Sequence, residues 1–276
     1  MSRRTIRLLA VTAALSVCGA LPAAVPAAAQ AKKIITISGS TSVFPLETLL
    51  ARKWIKTKKG KKFGFRILQG GSNVGVSDVS KGRVTIGASS RDPAPTDPGG
   101  LVFTKIAGDA LCIITNNANP VPDITTDTIR KIFLGPTYTD WSSVPGHQIT
   151  GPIVPIGRAP TSGTHDSFRN IFLGGTNQGN FVQGKASNGL VQQGVQSDKQ
   201  AIGYVSLAFT QGVHVLSYNG VDCNLRNAQS FQYGGDRSFY FVTRGAPVGG
   251  AKKFINWVTH SNKANNIIAT DWIPLH

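Results

Sequence analysis

The chain has 276 residues, and 29 lysines and arginines against 13 acids give it a net charge of +16. That length suits one large domain or two medium ones, and such a charge attracts anions, whether nucleic acid, an acidic polymer, a membrane surface or a small oxyanion. The sequence has no tandem repeat or coiled-coil heptads and, beyond its first thirty residues, no apolar stretch long enough to cross a bilayer.

Arg3, Arg4 and Arg7 precede an apolar run from Leu8 to Ala20, and Ala27-Ala28-Ala29-Gln30-Ala31 offers Ala-x-Ala cleavage after Ala29 or Ala31. This is the layout of an export signal. Residues 1–31 are expected to be a signal peptide whose removal leaves a periplasmic or secreted protein. Lipid anchoring at Cys18 is the lesser reading, because Val17 is larger than the residue that usually precedes a lipidated cysteine. The leader carries three arginines and no acid, so its loss lowers +16 to +13. Export argues against nucleic acid as the partner.

The remainder reads as alternating strands and helices. Ile34 to Ile37 form a strand, and Gly39-Ser40-Thr41-Ser42 leads into a helix with Leu46, Leu49, Leu50 and Trp54 on one face. Ser42 is placed to cap that helix, with Pro45 and Glu47 in its first turn. Arg52 to Lys62 is a basic run, read as a solvated helix end or as a docking patch. Phe65 to Leu68 form a second strand, Gly70 to Asn73 a turn, Val74 to Lys81 a helix closed by Gly82, and Val84 to Ala88 a third strand.

Further on, Leu111 to Thr115 is a strand and Thr126 to Leu134 a helix ending before Gly135. The Gly151–Ile156 strand leads into a loop at Arg158 and a helix bearing Phe168, Ile171 and Phe172. The stretch from Gly174 to Gln196 reads as loop with a short helix. Strands follow at 201–205, 213–218 and 239–243, and the last helix carries Phe254, Ile255, Trp257 and Val258. The alternation predicts an α/β fold with helices on both sheet faces. Cys112 and Cys223 are read as separate thiols slightly ahead of a bridge, since sequence cannot show that they approach.

Four segments share one design, in which a strand ends in a small hydroxyl-rich turn: Ser40-Thr41-Ser42, Gly71-Ser72-Asn73, Ser89-Ser90-Arg91 and Arg158 to Thr164. Turns of this kind supply unpaired N–H groups and hydroxyl donors, which suit an anion at a helix start. In open α/β sheets such loops converge on the ligand crevice, and an arginine adds a planar fork for an oxyanion. The five histidines lack metal-ligand spacing, and no Gly-x-Ser-x-Gly elbow, His-Glu-x-x-His or phosphate-loop signature occurs. The residues therefore point to an oxyanion binder rather than an enzyme, with no metal or cofactor.

The runs 37–42, 70–75, 86–91, 106–111, 156–158, 161–164 and 201–206, in this order and spacing, resemble the substrate-binding proteins of phosphate ABC transporters, the PstS-like family. The resemblance implies a two-lobed periplasmic-binding-protein fold of type II, each lobe a mixed sheet flanked by helices and the ligand cleft between them. It implies one lobe at 32–108 plus 236–276 and another at 109–235. The phosphate-binding residues it implies are Ser40, Thr41, Ser42, Ser72, Ser90 and Arg91 from the first lobe, with Arg158, Ser162, Gly163 and Thr164 from the second. It also implies inorganic phosphate as ligand, a membrane ABC permease as partner and a monomeric protein.

Two positions depart from the family pattern. Some members carry at Ser90 an aspartate that accepts the proton of bound phosphate, so another oxyanion (sulfate, molybdate or arsenate) stays open here. His165 stands where many members have an arginine, and is read as a bystander or as a ligand-facing group. Arg91 either adds charge near the ligand or makes a surface or interlobe salt bridge. A phosphatase and an adhesion protein using the lysine run are the remaining alternatives.

Overall fold

Two strand–helix–strand units open the fold. They comprise β1 (Lys33–Gly39), α1 (Phe44–Trp54), β2 (Phe63–Gln69), α2 (Ser72–Ser80) and β3 (Ile86–Ser89). The structure is a computed structural model that describes residues 31–135 and 137–276; apart from Ala31, the expected leader lies outside the described residues. The middle of the chain forms β4 (Leu101–Thr115), β5 (Asp123–Ile124), α3 (Thr126–Phe133), β6 (Val154–Arg158), α4 (Gly163–Ile171), β7 (Gln183–Lys185), α5 (Asn188–Ser197) and β8 (Ala201–Ser206). Then come β9 (His214–Val215), β10 (Ser217–Tyr218), β11 (Val221–Asp222), α6 (Leu225–Gln229), β12 (Asp236–Arg244), α7 (Gly249–His260) and α8 (Asn262–Ile268).

The main sheet runs β2-β1-β3-β12-β4-β8-β6-β7. β1 is parallel to β2 and β3, and β6 is parallel to β7 and β8. β12 and β4 lie antiparallel between these groups. β4 is 15 residues long, three times what the sequence pattern suggested. Leu101 to Ala110 pairs with β12, whereas Leu111 to Thr115 pairs with β8. Its first five residues are half-buried or exposed, which hides them beside the ten buried residues that follow.

The change of partner along β4 divides the hydrophobic core. One apolar cluster packs Ile37, Leu46, Leu50, Trp54, Phe241 and Phe254. The other packs Ile113, Ile129, Phe133, Phe168, Val191 and Tyr204. β4 and β12 are the strands that pass from one to the other, paired antiparallel from Asp236↔Ala110 to Arg244↔Leu101 with a register shift between Phe239 and Tyr240.

Three local expectations are corrected. Cys112 and Cys223 form a disulfide, with Cα atoms 5.6 Å apart across a separation of 111 residues. Ser42 does not cap α1; the cap position is Val43, and Ser40 Oγ accepts from the amides of Ser42 and Val43 at 3.2 and 3.4 Å. The segment 213–218 is two short strands, because β9 pairs with β4 while β10 pairs with β5 and β11.

Candidate functional site

β1, β3 and β6 all end where the two apolar clusters meet. The turn after β1 carries Ser40, Thr41 and Ser42, and the turn after β3 carries Ser90. β6 ends in Arg158, and α2 and α4 begin at Ser72 and Gly163. All these side chains are buried. Gly71 has φ 98°, and a Cβ there would lie 2.5 Å from the Thr161 carbonyl; Ser72 and the Arg158 loop meet at that point. Gly163 is held as closely, since a Cβ would lie 2.2 Å from Ser72 Oγ.

Hydroxyls link the turns. Ser40 Oγ donates to Ser90 Oγ at 2.8 Å, and Ser72 Oγ accepts from the Ser90 amide at 3.0 Å. Ser42 Oγ and Thr164 Oγ1 are 2.9 Å apart. Ser162 Oγ caps α4 by accepting from the Thr164 amide at 3.1 Å. Thr41 Oγ1 accepts from Arg158 Nη2 and from Asn188 Nδ2, both at 3.1 Å. With both lone pairs engaged, the Thr41 hydroxyl can only donate onward. Ser42 Oγ is placed alike, accepting from Asn188 Nδ2 at 2.9 Å and Arg237 Nη2 at 3.0 Å. The cluster is thus biased towards donors, the chemistry that an anion needs.

Two arginines supply its charge. Arg158 has a backbone amide that donates to Tyr204 Oη at 3.0 Å, and the Tyr204 ring stacks on Phe168 at 3.8 Å. Its guanidinium is fully buried and donates to the carbonyls of Lys185 and Ala186 as well as to Thr41. Nη1 has no partner, and no carboxylate pairs with Arg158 among the described residues. Burial, with the Arg237 charge adding to it, pulls the Arg158 guanidinium down to about 10. Arg237, at the start of β12, is neutralised by Asp109 on β4, with Nε 2.9 Å and Nη2 2.8 Å from Oδ2. Its Nη1 also donates to Thr164 Oγ1 at 3.0 Å. Ser206 Oγ donates to the other Asp109 oxygen at 2.8 Å. The local balance is two cations and one anion, all buried.

Nine of the ten residues expected from the sequence come together: Ser40, Thr41, Ser42, Ser72, Ser90, Arg158, Ser162, Gly163 and Thr164. Arg91 does not join their hydrogen-bond network through its guanidinium. That group is held by Asp97 at 2.6 and 2.9 Å, by Asn73 Oδ1 at 2.7 Å and by Asp166 at 3.3 Å. His165 is buried, and its ring Nδ1 lies 3.4 Å from Asp166 Oδ1. Asn188, Arg237, Asp109 and Ser206 were missed. Asp109 was legible in principle, as an acid inside the apolar run 106–114. Asn188 was hidden in a Gly/Asn/Gln-rich stretch, and Arg237 looked like an ordinary charge before an apolar strand.

Two apolar cores bridged by long strands, with a donor-lined cluster where their turns meet, define a two-lobed α/β binding-protein architecture. The chain belongs to the PBP superfamily, whose domain model matches residues 24–263. It is 27% identical over 252 residues to the phosphate-binding protein PstS of Bacillus subtilis, covering 89% of this chain and 82% of that protein. A Clostridium perfringens structure described as a phosphate ABC transporter substrate-binding protein with bound phosphate superposes with a TM-score of 0.82 at 29% identity, covering 88% of this chain and all of that one. An ABC-type phosphate transport receptor from Vibrio cholerae superposes at 0.69 with 26% identity, covering 87% and 99% of the two chains. These relatives are described as phosphate-binding and phosphate-transport proteins.

Proposed function

We propose that this chain is an exported substrate-binding protein that captures inorganic phosphate between two lobes and delivers it to a membrane ABC permease, acting as a monomer. The observation that carries the reading is the buried Arg158 guanidinium with no carboxylate partner among the described residues, set beside the Thr41 hydroxyl, which is obliged to donate. An unpaired charge at such depth costs several kcal/mol, and an oxyanion held by the same group offsets that cost. The relatives named above bind or transport phosphate, which favours that ion among oxyanions.

The ligand seat comprises Ser40, Thr41, Ser42, Ser72 and Ser90 from one lobe, with Arg158, Ser162, Gly163 and Thr164 from the other. The lobes are 32–108 plus 236–276 and 109–235, a division supported by the two apolar clusters. A ligand that touches both halves stabilises the closed arrangement by its differential contacts. Export rests on the leader pattern of residues 1–31. Sulfate remains the second reading, because Ser90 supplies no carboxylate to test the ligand for a proton.

Calorimetric titration of ligand-stripped protein with phosphate and then sulfate, from pH 5 to 8, tests the proposal. Saturable phosphate binding at one site per chain is expected. Undetectable binding would overturn it.

A further inference from the structure

The parallel strands of the first sheet half end at the hydroxyl cluster and begin at an opposite pole of different character. Lys32 and Lys33 stand at the start of β1, and the Lys33 amide donates to the Lys62 carbonyl at 3.0 Å. The basic run from Arg52 to Lys62 covers the last turn of α1 and the return to β2, and all its lysines and its arginine are exposed. The sheet register carries the pattern sideways. Arg83 precedes β3, and Arg244 ends the antiparallel β12 at the same level; both are exposed.

α7 starts at this pole too, since a Cβ on Gly250 would lie 2.7 Å from the Phe63 ring, and Phe63 is the register partner of Lys33. Its first turn adds exposed Lys252 and Lys253. No aspartate or glutamate occurs in 52–62, 81–85 or 244–253. The nearest acid in sequence, Asp78, is engaged by Ser38 Oγ at 2.8 Å and by Arg83. Within this field three apolar side chains are exposed: Val248 at 76%, Ile34 at 57% and Val102 at 40%.

We propose that this pole is a peripheral docking surface for an anionic lipid bilayer. Charge complementarity sets the sign of the partner, because clustered lysines and arginines are attracted to an anionic leaflet. Exposed apolar side chains among the cations favour a lipid surface, which takes both, over a hydrophilic polymer, which takes the charge alone. A strand of seven residues separates the pole from the hydroxyl cluster, about 20 Å, so docking leaves the cluster unobstructed. The proposal does not depend on which ion the cluster holds.

The exported protein is sedimented at low salt with vesicles of phosphatidylglycerol and phosphatidylcholine, and with vesicles of phosphatidylcholine alone. Binding to the anionic vesicles only, weakened at least about tenfold by Lys56→Glu/Lys58→Glu/Lys59→Glu/Lys61→Glu, is expected. Lys252→Glu/Lys253→Glu, on a different element, weakens it as well, and thermal melting verifies that both variants fold. Arg158→Met retains it. Absence of vesicle binding at low salt, equal binding by the charge-reversed proteins, loss with Arg158→Met, or capture by soluble heparin without vesicle binding would each overturn the proposal.

Discussion

Arg91 on the loop after β3 and Asp166 on α4 face each other at 3.3 Å, and Asn73 Nδ2 reaches the same carboxylate at 3.4 Å. Both charged side chains are mostly buried, at 9% and 14% exposure. Arg91 is also held by Asp97, so removing Asp166 leaves it paired. In the two-lobed reading this contact exists only when the lobes are closed. Asp166→Asn is therefore expected to weaken phosphate binding by roughly 1 kcal/mol, about fivefold, mainly through faster release. Stopped-flow dissociation measured beside equilibrium titration checks this; an unchanged release rate would exclude a latch.

Arg158 presents the opposite trade. Its buried, partly unsatisfied guanidinium is costly without a ligand. Arg158→Met is expected to lose phosphate binding by at least about a hundredfold, while the ligand-free variant unfolds at equal or higher temperature than the parent. Melting curves with and without phosphate measure both effects. A variant destabilised without ligand, yet still stabilised by phosphate, contradicts this role.

How much of this could be read in advance depended on sequence distance. The helix faces of α1 and α3 and the hydroxyl-rich turns are local patterns, and residues three or four apart declare themselves. The contacts that complete the cluster are not local: Arg237 meets Asp109 across 128 residues and Ser42 across 195. Nothing near Arg237 distinguishes it from a surface charge. The same limit explains Cys112 and Cys223, which only the fold brings together, and Ser42, whose place before a helix suggested a cap although its hydroxyl turns to Thr164, Asn188 and Arg237.

Ser90 is expected to set selectivity in the proposed seat. Its Oγ lies 2.8 Å from Ser40 Oγ and 3.3 Å from Ser72 Oγ, both of them neutral hydroxyls. A protonated phosphate gains only about one neutral hydrogen bond there over sulfate, so sulfate is expected to bind within roughly tenfold of phosphate. Ser90→Asp introduces repulsion against an ion with no proton to share and lowers sulfate affinity more than phosphate affinity at neutral pH. Competition titration measures the ratio. A parent already selective by several orders of magnitude rules out this account.

The disulfide belongs to stability rather than to binding. Cys112 lies on β4 and Cys223 just before α6, closing a separation of 111 residues. Constraining a loop of that size stabilises the fold by about 4–5 kcal/mol in the chain-entropy view, and native bridges commonly give 2–5. Cys112→Ala/Cys223→Ala is expected to lower the unfolding free energy by about 2–5 kcal/mol and to leave phosphate affinity within about twofold at a temperature where both proteins are folded. A large loss of affinity with little loss of stability reverses the assignment.

Glu47 makes the stability of the fold depend on pH. It lies on the inner face of α1 at 1% exposure, its Oε2 has no partner among the described residues, and burial pushes its carboxyl up to about 8. The folded protein therefore keeps this proton through a range where the unfolded chain, near the ordinary glutamate value of about 4.3, has released it. Across that window the unfolded state binds fewer protons, so stability falls as pH rises and levels off above the folded value. Glu47→Gln removes the titration. Urea unfolding at pH 5.5 and pH 8 is expected to show a larger loss for the parent than for the variant, by about 1–3 kcal/mol. Equal losses in the two proteins would mean that Glu47 is solvated or paired in solution and does not set the slope.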